Sequence, residues 1–374
     1  MKFCVYCGNK IPESSSFCPH CGQQQPKVQR TYQHVDNNQP MYNQSIYPVH
    51  RDDLFDKITS KLNSYTGGSG SVRINLKVLF SEVFKKHSNE DAEKIFIAGT
   101  HFTTPNMKDV SEEWAKPWLF SRILAYFMVV FGVLIVADFL FGGQLALPGL
   151  ILVAATAVPF SAVIFYFEFN AFRNISIFTV TKIFFVGGAF SLLVTMFIYQ
   201  FAIFNEKTSI GIGSALLIGI IEELGKMIII FYFINRVSNN FILNGILIGG
   251  AVGAGFATFE TAGYILYSGK YFLITAIVRA LTAIGGHLVW AAITGGALML
   301  VKKYGEKLQV SDLFEARFVI FFGLSIILHA LWDVTVPFGW LKYIPLIIIA
   351  WIILFVLMNA GINQIRDIKH QYNQ

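Results

Sequence analysis

IGIGSALLIGIIEELGKMIIIFYFI, residues 210–234, is the stretch on which the fold turns. It exceeds the ~20 residues a helix needs to cross a bilayer, and its only charged side chains are Glu222, Glu223 and Lys226, at its middle. An ionisable group at the centre of a membrane costs roughly 2.5–3.5 kcal/mol on insertion scales, so such groups must face protein or a wet cavity rather than lipid. The pattern recurs outward from this segment. Glu260 lies in the next apolar run, His287 in another, and His329 with Asp333 in a fourth. A chain that keeps acids and imidazoles in the segments least hospitable to them points to chemistry inside the membrane.

Composition agrees. Of 374 residues, 54% are hydrophobic and 14% charged, where soluble domains run to about half and about a quarter. We read an all-α polytopic membrane protein of about eight transmembrane helices, preceded by a small zinc ribbon. The spans fall near 118–140, 146–167, 183–204, 210–234, 241–267, 271–300, 318–336 and 341–362. The net charge of +6 is dispersed over the soluble N-terminal region, the loops and the tail, so it reads as membrane orientation and not as a nucleic-acid surface. Basic residues such as Lys302, Lys303, Lys307 and Arg317 cluster in loops on one side, which the positive-inside rule assigns to the cytoplasm together with both termini. No short apolar run with a cleavage site opens the chain, so the expectation is a multi-pass protein of the cell membrane, targeted by its first span.

Cys4-x-x-Cys7 and Cys18-x-x-Cys21, each followed by glycine, are the only cysteines. Two thiolate pairs on tight knuckles suit a tetrahedral, structural zinc. Residues 1–25 are therefore a zinc ribbon, which resembles the short ribbons at the N-termini of many bacterial membrane proteins and implies docking to a protein partner. Residues 26–71, rich in Gln, Asn, Pro and Gly, form a flexible linker, interrupted by a short amphipathic helix near Asp52 to Leu62. Residues 72–117 are a juxtamembrane region leading into the bilayer as a solvated helix, 118–362 the transmembrane domain and 363–374 a cytoplasmic tail.

Spacing groups the candidate residues. Glu222 and Lys226, four apart, share a helix face and pair, with Glu223 turned about 100° away. Two adjacent carboxylates beside one ammonium suit a general base. Phe256, Glu260 and Tyr264 form one face of span 5, and Asp333 lies where it accepts a bond from His329. His287 is mid-span, preceded by Gly285 and Gly286, and taken alone serves equally as an interhelical hydrogen bonder. Glu260 and His329 fall about seven residues from the outer ends of their spans, which at ~1.5 Å per residue puts the cluster in the outer half of the membrane. The many glycines of spans 5 and 6 read as close helix packing.

At these residues the sequence resembles the PrsW family of intramembrane proteases, relatives of the CAAX-type prenyl endopeptidases and bacteriocin-processing enzymes. The motifs are Glu222-Glu223-Leu224-Gly225-Lys226, Phe256-Ala257-Thr258-Phe259-Glu260, His287, and His329-Ala330-Leu331-Trp332-Asp333. Glu260 stands where the prenyl endopeptidases carry histidine. The resemblance implies an endopeptidase that hydrolyses membrane-anchored proteins, such as anti-sigma factors, through a glutamate-activated water with no catalytic metal. Glu222 is then the base, Glu223 and Lys226 set its protonation, Glu260 and His287 position the water, and His329 with Asp333 meet the oxyanion or the leaving amine. The alternatives are a zinc-dependent intramembrane hydrolase, disfavoured by the lack of His-Glu-x-x-His, and an ion-coupled transporter, disfavoured by the lack of an inverted repeat.

Overall fold

The computed structural model describes residues 2–3, 10–11, 54–100, 102–142, 146–202, 210–237 and 240–373. Cys4, Cys7, Cys18 and Cys21 and residues 12–53 lie outside these. At the N-terminus, strands β1 (Lys2–Phe3) and β2 (Lys10–Ile11) pair antiparallel, bracketing the first cysteine pair in sequence.

Everything else described is helical or loop. Helix α1 (Leu54–Tyr65) matches the amphipathic segment expected within the linker. The region expected to be a solvated helix is instead two short helices, α2 (Leu76–Leu79) and α3 (Asn89–Phe96), laid against the membrane domain. Ser88 caps α3 with Asp91 in a reciprocal box, and the cap bonds hold the Asp91 carboxyl below its usual pKa. The Arg173 guanidinium donates to the Lys94 carbonyl at 2.7 Å, and the Gly99 amide donates to the Arg173 carbonyl at 2.8 Å. His87 stacks on Trp118 at 3.8 Å. The spacing of charges there reflects a docked platform, which periodicity alone could not distinguish from a wet helix.

The membrane domain follows as α4 (Leu119–Phe141), α5 (Ala146–Phe169), α6 (Ile177–Lys182), α7 (Gly188–Tyr199), α8 (Ile212–Arg236), α9 (Ile242–Tyr267), α10 (Phe272–Ala283), α11 (His287–Val301), α12 (Ala316–Asp333) and α13 (Tyr343–Asn373). Helices α6 and α7 are one span joined by a π-wound turn, Ile183–Gly187. Among the described residues, seven helical segments are long and apolar enough to cross a membrane. The eighth expected span, α8, has the length at 25 residues, and its three mid-helix charges set it apart. Glu168 anchors α4, its carboxylate accepting the amides of Trp118, Leu119 and Phe120, each at 2.9 Å.

Sequence and structure part at span 6. Residues 271–300 read as one helix but form two, broken at Ile284-Gly285-Gly286, so that His287 begins α11 instead of sitting within a span. Helix α9 is the hub, buried without a gap from Ile242 to Thr258. Gly245, Gly249 and Gly253 present one backbone stripe to α11, where an added methyl would overlap the Gly295, Ala291 and His287 carbonyl oxygens respectively. Gly255 and Gly188 let α9 and α7 cross backbone to backbone. The small residues therefore do pack helices in lipid, as expected.

Candidate active site

Two glycines flank the acid pair of α8 and decide what reaches it. Gly219 admits α12, its α-carbon facing the Ile326 carbonyl and the His329 side chain, and Gly225 admits α7 at Thr195. The first contact delivers His329 to Glu223. The second sets α7 so that Tyr199, one turn beyond Thr195, reaches Glu222. From the far side, Gly253 of α9 seats the first turn of α11 and with it His287.

All seven residues singled out in the sequence converge. Glu223, fully buried, is the anchor: its Oε1 accepts from Lys226 Nζ and from His329 Nδ1, both at 2.8 Å. This revises the expected pairing, because Glu222 lies 4.0 Å from the ammonium and Glu223 is the close partner. Three-residue and four-residue spacings both bring side chains together on a helix, and the tie is broken here by His329 approaching from α12. Lys226 also donates to His287 Nδ1 at 2.8 Å and lies 4.4 Å from the centre of the Phe256 ring. The other nitrogen of His287 donates to Glu260 Oε2 at 3.0 Å. His329 Nε2 faces Asp333 Oδ2 at 3.3 Å and Glu222 Oε2 at 3.6 Å, so with Glu223 on its other nitrogen both ring nitrogens are placed to donate to carboxylates.

Glu222 differs from its neighbour. Tyr199 donates to its Oε1 at 2.9 Å, while its Oε2 is buried with no hydrogen-bond partner among the described residues. A buried carboxylate oxygen left unpaired is costly. This one points at a space also faced by His287 Nδ1 at 3.9 Å and His329 Nε2 at 3.6 Å. Helix α11 starts beside that space, so the partial positive charge of its N-terminus favours negative charge there.

Two contributors escaped the sequence. Tyr199 ends an apolar run and reads as an interfacial aromatic. Arg279, near the outer end of span 6 by sequence, lies on α10, pairs with Glu260 and lies 4.1 Å from the centre of the Tyr264 ring. Trp290 stacks on His329 at 4.5 Å and floors the cluster.

The donor set suits a metal ion in part. Glu222, His287 and His329 each offer one atom within 4.8 Å of the others. Both imidazoles carry a carboxylate on the opposite nitrogen, Glu260 and Glu223, as metal-bound histidines usually do. Against this, the Lys226 ammonium donates to His287 Nδ1, the nitrogen a metal would take. Ammonium and metal exclude one another at that atom, so the arrangement fits a metal only with Lys226 withdrawn.

Residues 176–360 match the family described as PrsW family intramembrane metalloprotease, and residues 3–24 match a zinc-ribbon domain. The acid and imidazole cluster lies wholly inside the first match, and all four cysteines inside the second. Protease PrsW of Halalkalibacterium halodurans is 24% identical over 210 residues, 54% of this chain and 92% of that protein. No solved structure matches the chain.

Proposed function

We propose, for a chain that is a homologue of the PrsW family of intramembrane proteases and hence a hydrolase acting on peptide bonds, that Glu222 is the base of a metal-free centre cleaving membrane-anchored proteins. The observation that carries this is the Glu222 Oε2, buried without a hydrogen-bond partner and facing His329 Nε2 at 3.6 Å and His287 Nδ1 at 3.9 Å; the Glu223 Oε2 is also unpartnered, but that carboxylate already holds Lys226 and His329 through its other oxygen. Water bound there gives its proton to Oε2 as its oxygen bonds to the scissile carbonyl carbon. The negative charge that develops on the carbonyl oxygen is met by His329 Nε2–H, which turns to it from Asp333 while Glu223 holds the ring through Nδ1, in a low-dielectric pocket where such a donor is effective. Collapse breaks the C–N bond, and the proton held by Glu222 passes to the leaving amine. Glu223 fixes Lys226 and His329, while Arg279 and Glu260 fix His287. Lys226 supplies the positive charge that lets a carboxylate persist at this depth.

A second reading rests on the convergence of Glu222, His287 and His329 and on their backing carboxylates. In it these three residues hold a divalent metal, which when bound would supply Lewis acidity toward water or carbonyl. The ribbon zinc, on Cys4, Cys7, Cys18 and Cys21, is in either reading structural and apart from catalysis.

Glu260 lies seven residues before the end of α9, about 10 Å of helix, at the end where α9 turns into α10. With both termini in the cytoplasm of a cell-membrane protein, that end faces outward, and the substrates are proteins whose cleaved bond lies in the outer half of the bilayer. The test compares membrane-protein fragments from cells carrying the intact chain and Glu222→Gln. Fragments that vanish with the variant identify the substrate; an unchanged fragment pattern refutes the assignment.

A further inference from the structure

An apolar space lies away from the acid cluster. A cavity of about 830 Å³ opens between α4, α5 and α13. Its lining includes Ile284, at the break between α10 and α11, and a polar mouth of Asp56 and Arg73 beside Phe55 of α1. The walls between, such as Leu124, Ala162, Ile348 and Phe355, are apolar, and the Ser161 hydroxyl is satisfied by the Ala157 carbonyl at 2.6 Å. Nothing along the walls would hold a polar ligand.

Lining and mouth chemistry narrow the occupant. Walls that offer no free hydrogen-bonding group suit flexible hydrocarbon chains. At the mouth, Arg73 and Asp56 form an ion pair at 2.5 Å, with the arginine side chain 71% exposed. One cation beside one anion complements a headgroup that carries both a phosphate and an amine, whereas a purely anionic headgroup would set its phosphate against Asp56. Leu54, Phe55 and Ile58 are exposed along α1, the apolar stripe of a helix lying in the membrane interface.

We propose that this cavity binds one phospholipid of the leaflet beside α1, its acyl chains reaching toward Ile284 and its amine-bearing headgroup at Asp56 and Arg73. The bound chains touch Trp351, whose indole N–H donates to the Ile284 carbonyl at 2.9 Å, and so brace the break three residues before His287. The site is independent of the peptidase reading, and its test reads lipid and not cleavage.

The full chain is reconstituted in phosphatidylglycerol vesicles with a tracer of phosphatidylethanolamine bearing a photoactivatable acyl chain, and labelled peptides are mapped. Peptides containing 158–165 and 347–355 should be labelled in excess of the lipid-facing stretch of α4 around Val129 and Val133, both well exposed. Ala162→Trp, which fills the cavity, should lower the excess to the α4 level. The surface pair Asp56→Asn with Arg73→Gln should lower it too, and serves if the filling variant does not fold. Even labelling of all three stretches, an excess that survives both variants, or an equal excess with a phosphatidylglycerol tracer would each overturn the proposal.

Discussion

Glu222→Gln and Glu223→Gln remove one negative charge each from adjacent positions, and the structure separates their consequences. Glu223 Oε1 holds both Lys226 and His329 at 2.8 Å, with all three side chains at most 2% exposed. An amide there leaves a buried ammonium without its close counter-charge, and removing one partner from a buried pair typically costs about 3–5 kcal/mol, a large part of a ~5–15 kcal/mol fold. Glu222 accepts the 2.9 Å bond from Tyr199, which a glutamine carbonyl accepts equally well, its contacts to His329 and Lys226 are longer, at 3.6 and 4.0 Å, and Lys226 keeps its nearer partner. Glu222→Gln should therefore unfold close to the parent temperature, while losing the ~10²–10⁴-fold that a general base contributes. Glu223→Gln should lose both stability and rate. The assay is thermal unfolding and initial cleavage rate of both variants in the same vesicles, using the substrate that the cellular comparison identifies. Turnover by Glu222→Gln within about threefold of the parent, less than ~1 kcal/mol of barrier, would refute its role as base. Equal destabilisation by the two changes would refute Glu223 as the anchor.

Tyr199→Phe should fold normally and lose about tenfold or more in kcat with little change in KM, since a hydrogen bond to a charged group contributes roughly 1.5–3 kcal/mol; steady-state rates on the same substrate decide. Gly253→Ala drives a methyl into the His287 carbonyl and the Ala291 side chain, so activity should fall far more than the insertion level measured by membrane fractionation, and unchanged activity would deny that the α9 stripe positions His287. Replacing all four ribbon cysteines with serine should abolish zinc by elemental analysis and spare hydrolysis; zinc retained at one per chain would establish the metal-bound reading of Glu222, His287 and His329. In that same cysteine-free chain, single cysteines at Lys270 and Lys307 probed on intact cells with an impermeant thiol reagent should label at 270 only, and the reverse would invert the protein and place the cluster toward the cytoplasm.

The cluster was legible because lipid makes charge expensive. Packing does not explain Glu222, Glu223, Lys226, Glu260, His287, His329 and Asp333 taken together on four apolar runs, although His287 alone could be an interhelical hydrogen bonder, so their type and position marked a candidate site. Helix periodicity located the spans for the same reason, as a backbone in hydrocarbon must be helical. What periodicity leaves open is azimuth between helices. Whether Lys226 pairs with Glu222 or Glu223 depends on where α12 brings His329, and that is set by Gly219, a contact between segments more than a hundred residues apart. Tyr199 and Arg279 were hidden similarly. Near the end of a span such residues serve as interface anchors by default, and only the crossing of α7 with α8 and of α10 with α9 turns them onto Glu222 and Glu260.

The break at Gly285-Gly286 shows most clearly how one local feature admits two readings. In sequence these glycines join a series that packs helices, and Gly285 does face α13, where an added methyl would overlap Ile347. Yet a break within the bilayer strands carbonyls at the end of α10 and amides at the start of α11, each costly in hydrocarbon unless satisfied. Trp351 meets one stranded carbonyl, that of Ile284. At the start of α11 the ring of its first residue, His287, lies between Glu260 Oε2 at 3.0 Å and Glu222 Oε2 at 3.9 Å, and a helix start placed there favours both carboxylates. A continuous span 6 would have buried those amides in its own helix. The interruption is thus the means by which an apolar chain supplies positive potential to an acidic centre without adding another charge to the membrane.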